Sequence, residues 1–386
     1  MRRALCLITL AVMLGVIVAG CGGSQGPATI KIGYLANVTG DGAVWGQAEV
    51  NGAKLAVEEI NKAGGVLGKQ IELVVGDARG NATDGVNAVK KLIEQDKVVA
   101  ILGSNYSGIN LACAPIVEAA KVPQIATFAT NPKVTVDEKG NPRPYSFRLC
   151  FIDPYQGKVL ADYMYKKLGK KTAAILYEVT SDYSVGLSEY FEKRLKEIGG
   201  EVVAKLAFKG GDVDFRPQLS EIKQKNPEVL LLPNLYKEIA LAAKQARELG
   251  MNDVVFMGGD GYSNTMLEMA GKELQGSYWV SHFSWEDPKL KNLLDKYTAK
   301  YNEKNPEPNG AMGYDIVYFL VDCIKRAGKA EGPAIRDAIE NAKGVQLQHA
   351  TITMDPKTHN PLDKMAAIHV VQGDRVKFLE MYSPKD

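Results

Sequence analysis

Three groupings in this sequence have residue types and spacing that could do chemistry. Gly40, Gly42 and Gly46 follow one apolar run and open an amphipathic one, and Asp77 closes the next apolar run. In a dinucleotide fold, glycines at such a turn cradle the pyrophosphate and the acid holds the ribose. The spacing here is GxGxxxG rather than GxGxxG, so a glycine-rich turn beside a cleft is the simpler reading. Asp355, His359 and Asp363 in MDPKTHNPLD are metal-ligand types, but the prolines and Asn of the same segment read as a tight turn. The third grouping is Asp260, a lone carboxylate in Gly258-Gly259-Asp260-Gly261. It stands just past the apolar run at 254–257, at a strand end of the kind where ligands of α/β sheets bind. GxSxG, HExxH and P-loop motifs are absent, and no histidine is expected near the strand ends, since His282, His349, His359 and His369 all fall in the last third. No nucleophile–base pair and no cofactor or metal site is expected, and the chain does not read as an enzyme.

The ends set the compartment. Arg2 and Arg3 precede residues 4–20, which carry no formal charge, and the run closes on Val18-Ala19-Gly20-Cys21. This is shorter than the ~20 apolar residues of a spanning helix and reads as a secretory signal over residues 1–20; a membrane anchor ending near Cys21 is the alternative. Small residues before Cys21 resemble a bacterial lipobox, which implies lipidation at Cys21. Residues 21–27 then form a tether, and the protein is expected to be exported and membrane-anchored, periplasmic or at the cell surface. Without residues 1–20, Lys+Arg falls from 47 to 45 and equals Asp+Glu at 45. A neutral chain with no long basic run has no electrostatic footprint for nucleic acid. Cys113, Cys150 and Cys323 are scattered, with no CxxC pair, and read as buried free thiols.

The elements that must position these residues alternate. Apolar runs at 29–35, 71–76, 98–103 and 124–128 read as strands, and 45–62, 82–95 and 107–120 as helices. The strands are apolar throughout rather than alternating, as when helices cover both faces of a parallel sheet. A Pro- and charge-rich excursion at 131–144 separates this set from a second, with strands at 172–177, 201–208, 229–232 and 254–257 and helices at 155–168, 184–198, 215–225, 237–249 and 264–270. A strand at 277–280, helices at 289–305, 311–327 and 334–342, and short strands complete the chain. The length exceeds what one core supports, and the pattern predicts two doubly wound α/β domains in tandem. Ligands of such sheets bind beyond the carboxyl ends of the strands. Those segments are rich in Tyr, Trp, Ser, Thr, Asn and Asp, with Arg79 and Lys237 as their cations, which suits a small polar or zwitterionic molecule with an apolar part.

The segments Gly103-Ser-Asn-Tyr-Ser107-Gly, Ala114-Pro-Ile-Val, Val122-Pro-Gln-Ile and Ala129-Thr130-Asn131-Pro132 resemble the branched-chain amino acid binding proteins of ABC importers. Trp45-Gly46, Asn51-Gly52-Ala53, Glu59-Ile-Asn-Lys-Ala-Gly-Gly65, Tyr183-Ser-Val-Gly186-Leu187 and Gly258-Gly259-Asp260-Gly261 extend the likeness over the whole mature chain. The resemblance implies a type I periplasmic binding fold: two Rossmann-like lobes joined by a three-strand hinge, one formed by 28–148 and 282–355, the other by 149–281 and 356–386. It implies that Ser107 and Thr130 hold a ligand carboxylate, that the Phe128 carbonyl and Asp260 take the ammonium, and that Tyr183 bonds the zwitterion as the lobes close. Trp45 and Tyr236 would wall the side-chain pocket. Tyr106 replaces a cysteine the family uses in a disulfide and would enter the cleft. The implied partners are an amino acid, a membrane ABC permease and, through Cys21, the membrane. The same fold binding an amide, urea or an aromatic acid, and a sensor module without a transport role, are the alternatives.

Overall fold

The strand β1 (Thr29–Ala36) shows why these runs become a sheet. Ile30, Ile32 and Tyr34 are buried on one face and Leu35 on the other, and each face meets its own helical layer. The computed structural model describes residues 29–362 and 365–384. The signal, the tether, Cys21 and Asp363 lie outside them.

The first lobe continues with α1 (Ala43–Lys62), β2 (Gln70–Asp77), α2 (Ala82–Glu94), β3 (Ile101–Gly103), α3 (Ser107–Ala120), β4 (Gln124–Ala126) and β5 (Ser146–Arg148). Its strands pair in parallel in the order β2-β1-β3-β4-β5. The second lobe contributes α4 (Asp153–Asp162), β6 (Thr172–Glu178), α5 (Asp182–Glu197), β7 (Glu201–Phe208), α6 (Arg216–Gln224), β8 (Val229–Leu231), α7 (Tyr236–Glu248), β9 (Val255–Gly258), α8 (Thr265–Ala270) and β10 (Tyr278–Ser281). The chain then returns to the first lobe as α9 (Lys291–Tyr301), α10 (Asn309–Ala327), α11 (Gly332–Glu340) and the small hairpin β11 (Val345–Gln346) and β12 (Thr351–Ile352). It finishes in the second lobe as β13 (Ala366–Gln372) and β14 (Arg375–Tyr382). The second sheet has the order β14-β13-β10-β9-β8-β6-β7, with β13 and β14 antiparallel.

The chain therefore crosses between lobes three times: before α4, after β10 and before β13. Its last third belongs to both lobes, and β13 and β14, each at least 7 residues long, exceed the short strands expected there. The excursion at 131–144 hides a strand: β5 follows it at once and is fully buried. The helix expected from 155 starts at Asp153, with Pro154 in its first turn, where a missing N–H costs nothing.

Returning α10 packs on α1 at backbone distance. A Cβ on Gly52 would lie 1.9 Å from the Gly310 carbonyl oxygen, and one on Gly313 would lie 2.0 Å from that of Glu49. In the second lobe Ala174 and Leu176 face the α6–α8 side while Ala173 and Ile175 face α4 and α5. Both sheets thus bury both faces, which is why their strands are continuously apolar.

Candidate functional site

In both sheets the strand order reverses beside the first strand of the lobe, at β1/β3 and at β6/β8. Open α/β sheets bind ligands at such switch points. The two face each other across a cleft of about 480 Å³, lined from the first lobe by Trp45, Asn105, Tyr106, Ser107, Phe128 and Asn309 and from the second by Glu178, Tyr183, Tyr236, Glu238 and Asp260. The lobes meet around it: Trp45 packs edge-on to Tyr236 with centroids 5.1 Å apart, and Asn131 donates to the Asp182 carbonyl at 2.8 Å.

The loop after β1 is braced by Asp77, whose carboxylate accepts the Val38 and Thr39 N–H groups at 3.1 and 3.3 Å and the Thr39 hydroxyl at 2.6 Å. Asp77 is committed to this loop, not held out toward a ribose. Gly40 and Gly42 take positive φ there, 74° and 76°, and a Cβ on Gly46 would lie 2.2 Å from the Asn37 oxygen. The glycines serve turn and packing, and the dinucleotide reading falls. Arg79 does not line the cleft; its side chain is 65% exposed beside Asp77.

Ser107 opens α3 and lines the cleft, where the unpaired N–H groups of the first helical turn favour an anion. Its hydroxyl accepts the Asn131 N–H at 3.2 Å, which ties α3 to the loop after β4. That loop is held from behind by Arg148, fully buried on β5, which donates to the carbonyls of Ala129 at 2.6 Å and Asn131 at 2.7 Å. Phe128 lies in the cleft wall, but Thr130 is fully buried and does not line the cleft. The Thr130 hydroxyl lies near the Asp153 carboxyl without reaching hydrogen-bond geometry. Thr130, expected to meet a ligand carboxylate, thus stands buried beside Asp153 and not among the residues that line the cleft.

On the opposite side Asp260 sits just past β9. A Cβ on Gly259 would lie 2.4 Å from Gln156 Oε1 and one on Gly261 would lie 2.1 Å from the Asn234 oxygen; only glycines let this loop so close to its neighbours. Gln156 donates to Asp260 Oδ1 at 2.8 Å, and His282 Nε2 lies 3.0 Å from Oδ2. Tyr183 accepts the Gly261 N–H at 3.2 Å through its hydroxyl, which burial keeps well above its ordinary range. His282 packs at a tilt against Phe151, centroids 3.7 Å apart, and burial pushes its imidazole below 6.5. It stays neutral near pH 7, so the charge of Asp260 remains open to a cation. Asp153, fully buried next to this group, is pushed up to about 8 by burial.

Asp153, Gln156 and His282 escaped sequence reasoning. The histidine follows β10 at once, so it does stand at a strand end. At the outer end Tyr106 lies edge-on to Trp45, centroids 6.4 Å apart, and its hydroxyl is buried without a partner. Among the described cleft-lining residues Lys237 is the one Lys or Arg, against carboxylates at Asp41, Glu178, Asp182, Glu238 and Asp260.

The MDPKTHNPLD segment is structural. The His359 Nδ1 lies 3.0 and 3.1 Å from the carbonyls of Arg143 and Ser146, its Nε2 is 3.1 Å from Glu340, and its ring stacks on Phe147. No group of three metal-ligating side chains occurs among the described residues. Cys113, Cys150 and Cys323 are buried and unpaired, their thiols pushed up to about 12 by burial. No helix among the described residues is long and apolar enough to cross a membrane.

Two α/β lobes joined by three crossings, with an anion-favouring helix start and a poised carboxylate facing one cleft, define the class of two-lobed ligand-capture proteins. The chain belongs to the periplasmic binding protein family, whose model matches residues 29–375. It is similar to a leucine-binding protein, LivK, from Thermotoga maritima, with 33% identity, a TM-score of 0.84 and coverage of 92% of this chain and 99% of that one. The branched-chain amino acid transporter substrate-binding protein LivJ of Streptococcus pneumoniae, solved with isoleucine, matches at 33% identity and a TM-score of 0.84 over 92% and 100% of the two chains. A leucine-, isoleucine-, valine-, threonine- and alanine-binding protein of Pseudomonas aeruginosa is 30% identical over 81% of this chain and 82% of its own length.

Proposed function

We propose that the chain is the exported substrate-binding component of an ABC importer and captures an α-amino acid with an aliphatic side chain, without catalysing a reaction. The observation that carries this reading is Asp260: an uncompensated carboxylate, oriented by Gln156 and a neutral His282, across the cleft from the free N–H groups at the start of α3. A zwitterionic head satisfies both ends at once, and each partner alone would leave a polar group unpaired. The Phe128 ring, Leu235 and the Trp45–Tyr236 pair offer apolar wall for a side chain. The relatives that bind leucine, isoleucine and valine support the same ligand class. Ligand contacts from both lobes favour the closed form, which would dock on a membrane permease while a lipid on Cys21 keeps the protein at the bilayer.

The test is calorimetric titration of ligand-stripped protein with leucine, isoleucine and valine, beside the same compounds lacking the α-amino group. Binding that requires the amino group is the expected result. Equal affinity for the deaminated acids would remove Asp260 from its assigned role.

A further inference from the structure

Glu307 lies in the turn between α9 and α10, a segment that packs with the first lobe, yet its side chain is held by the second. Its Oε1 accepts the Ser263 hydroxyl at 2.6 Å and the Asn264 N–H at 3.0 Å, in the loop that runs from Asp260 into α8. Its own carbonyl accepts the Trp285 indole N–H at 3.1 Å, which fixes the turn to the first lobe. The residue is 8% exposed, its Oε2 has no hydrogen-bond partner, and no Lys or Arg pairs with it among the described residues.

We propose that Glu307 is a clasp across the lobe boundary, closing onto Ser263 and Asn264 as the lobes meet and so positioning the Asp260 loop in the ligand-bound form. This rests on the reading that the lobes close around a ligand. A carboxyl withdrawn from water without a cation favours its neutral form. Burial pushes Glu307 up to about 7, with Ser263 and the N–H groups of Asn264 and Thr265 acting against the rise and Glu303 adding to it. Tyr236, Tyr262 and Tyr297 are the other titratable groups within its field, and none ionises near neutrality. When the lobes part and water reaches the carboxyl, it returns toward the ordinary value of about 4.3.

The closed form therefore holds a proton that the open form lacks. Since closure binds the proton, acidification through about 7 strengthens binding, and the gain is lost as pH rises above that value. Asp153 acts in the opposite sense, because an ammonium beside Asp260 favours its ionised form. The clasp is accordingly read as a difference between wild type and Glu307→Gln, which keeps the shape and cannot ionise.

Isoleucine titrated calorimetrically at pH 6, in two buffers of different ionisation heat, gives the number of protons taken up. Wild type should take up roughly one proton more than Glu307→Gln, and the wild-type affinity should gain up to about tenfold per pH unit below 7 relative to the variant. Equal proton counts overturn the clasp. Ser263→Ala, with folding checked by its melting temperature, should weaken binding several-fold; unchanged affinity also overturns it. If isoleucine does not bind at all, the functional reading fails, and X-ray scattering of the ligand-free protein then decides the clasp. Contraction from pH 8 to pH 6 in wild type but not in Glu307→Gln supports it, and equal behaviour of the two overturns it.

Discussion

At the inner end of the cleft the Asp260 side chain is 6% exposed, and each of its oxygens has a fixed neighbour, Gln156 or His282. At the outer end the Lys237–Asp41 pair is 45% and 68% exposed, with Glu238 in the field of both. Both ends present carboxylates, but only the outer one faces a cation, and their surroundings differ. Out of water and held by neutral donors, Asp260 offers a directional, weakly screened charge. The outer charges are screened by solvent and salt within about 8–10 Å, so they shape the approach of a ligand more than its bound geometry. On the proposed reading, selection of the head group falls to the inner end.

The substitution with the largest expected effect is Asp260→Ala. Losing one charge-assisted bond costs about 1.5–3 kcal/mol, or roughly a 10- to 150-fold weaker amino-acid affinity by titration calorimetry. Next is Gly261→Ala. Its added Cβ would lie 2.1 Å from the Asn234 oxygen, and overpacking of this kind costs about 1–3 kcal/mol, seen as a melting temperature lower by several degrees.

The two ends also differed in how much of them could be read from the chain. The alternation of strands and helices, the start of α3 at Ser107 and the placement of Asp260 after a strand all follow from local pattern, because propensity, capping and glycine spacing are short-range. What neighbours Asp260 does not follow: Gln156 is 104 positions away. His282 is only 22 away and follows the strand expected at 277–280, but nothing local in the sequence shows that it meets Asp260. Thr130 is expected by likeness to donate to a ligand carboxylate, and its burial accompanies the bonds that tie the carbonyls on either side of it to Arg148 of β5. That strand is itself only 3 residues long, too short for periodicity to reveal. Arg79 looked like a cleft cation because it follows β2, but its backbone is in the left-handed region at φ 49° and its side chain faces solvent.

The third prediction concerns pH. His282 titrates below its ordinary value of 6.5 because it is buried. Protonation makes it a competitor for Asp260, so amino-acid affinity relative to a variant without this imidazole should fall as pH drops below the ordinary histidine value of 6.5. His282→Asn should flatten that acid limb; an unchanged limb would separate His282 from the site's electrostatics. The smallest effect belongs to the outer end. Lys237→Ala removes a solvent-exposed pair and should change affinity by less than about 1 kcal/mol. A loss matching that of Asp260→Ala would break the contrast between the two ends.

The most direct test of the central claim is a thermal-shift comparison on ligand-stripped protein beginning after Cys21. Leucine, isoleucine and valine are set beside amides, urea and aromatic acids. At 100 times its dissociation constant a ligand adds about 2.7 kcal/mol, enough to raise the midpoint by several degrees. The account predicts that shift with the aliphatic amino acids, lost in Asp260→Ala. Shifts confined to solutes without an α-ammonium group would contradict it.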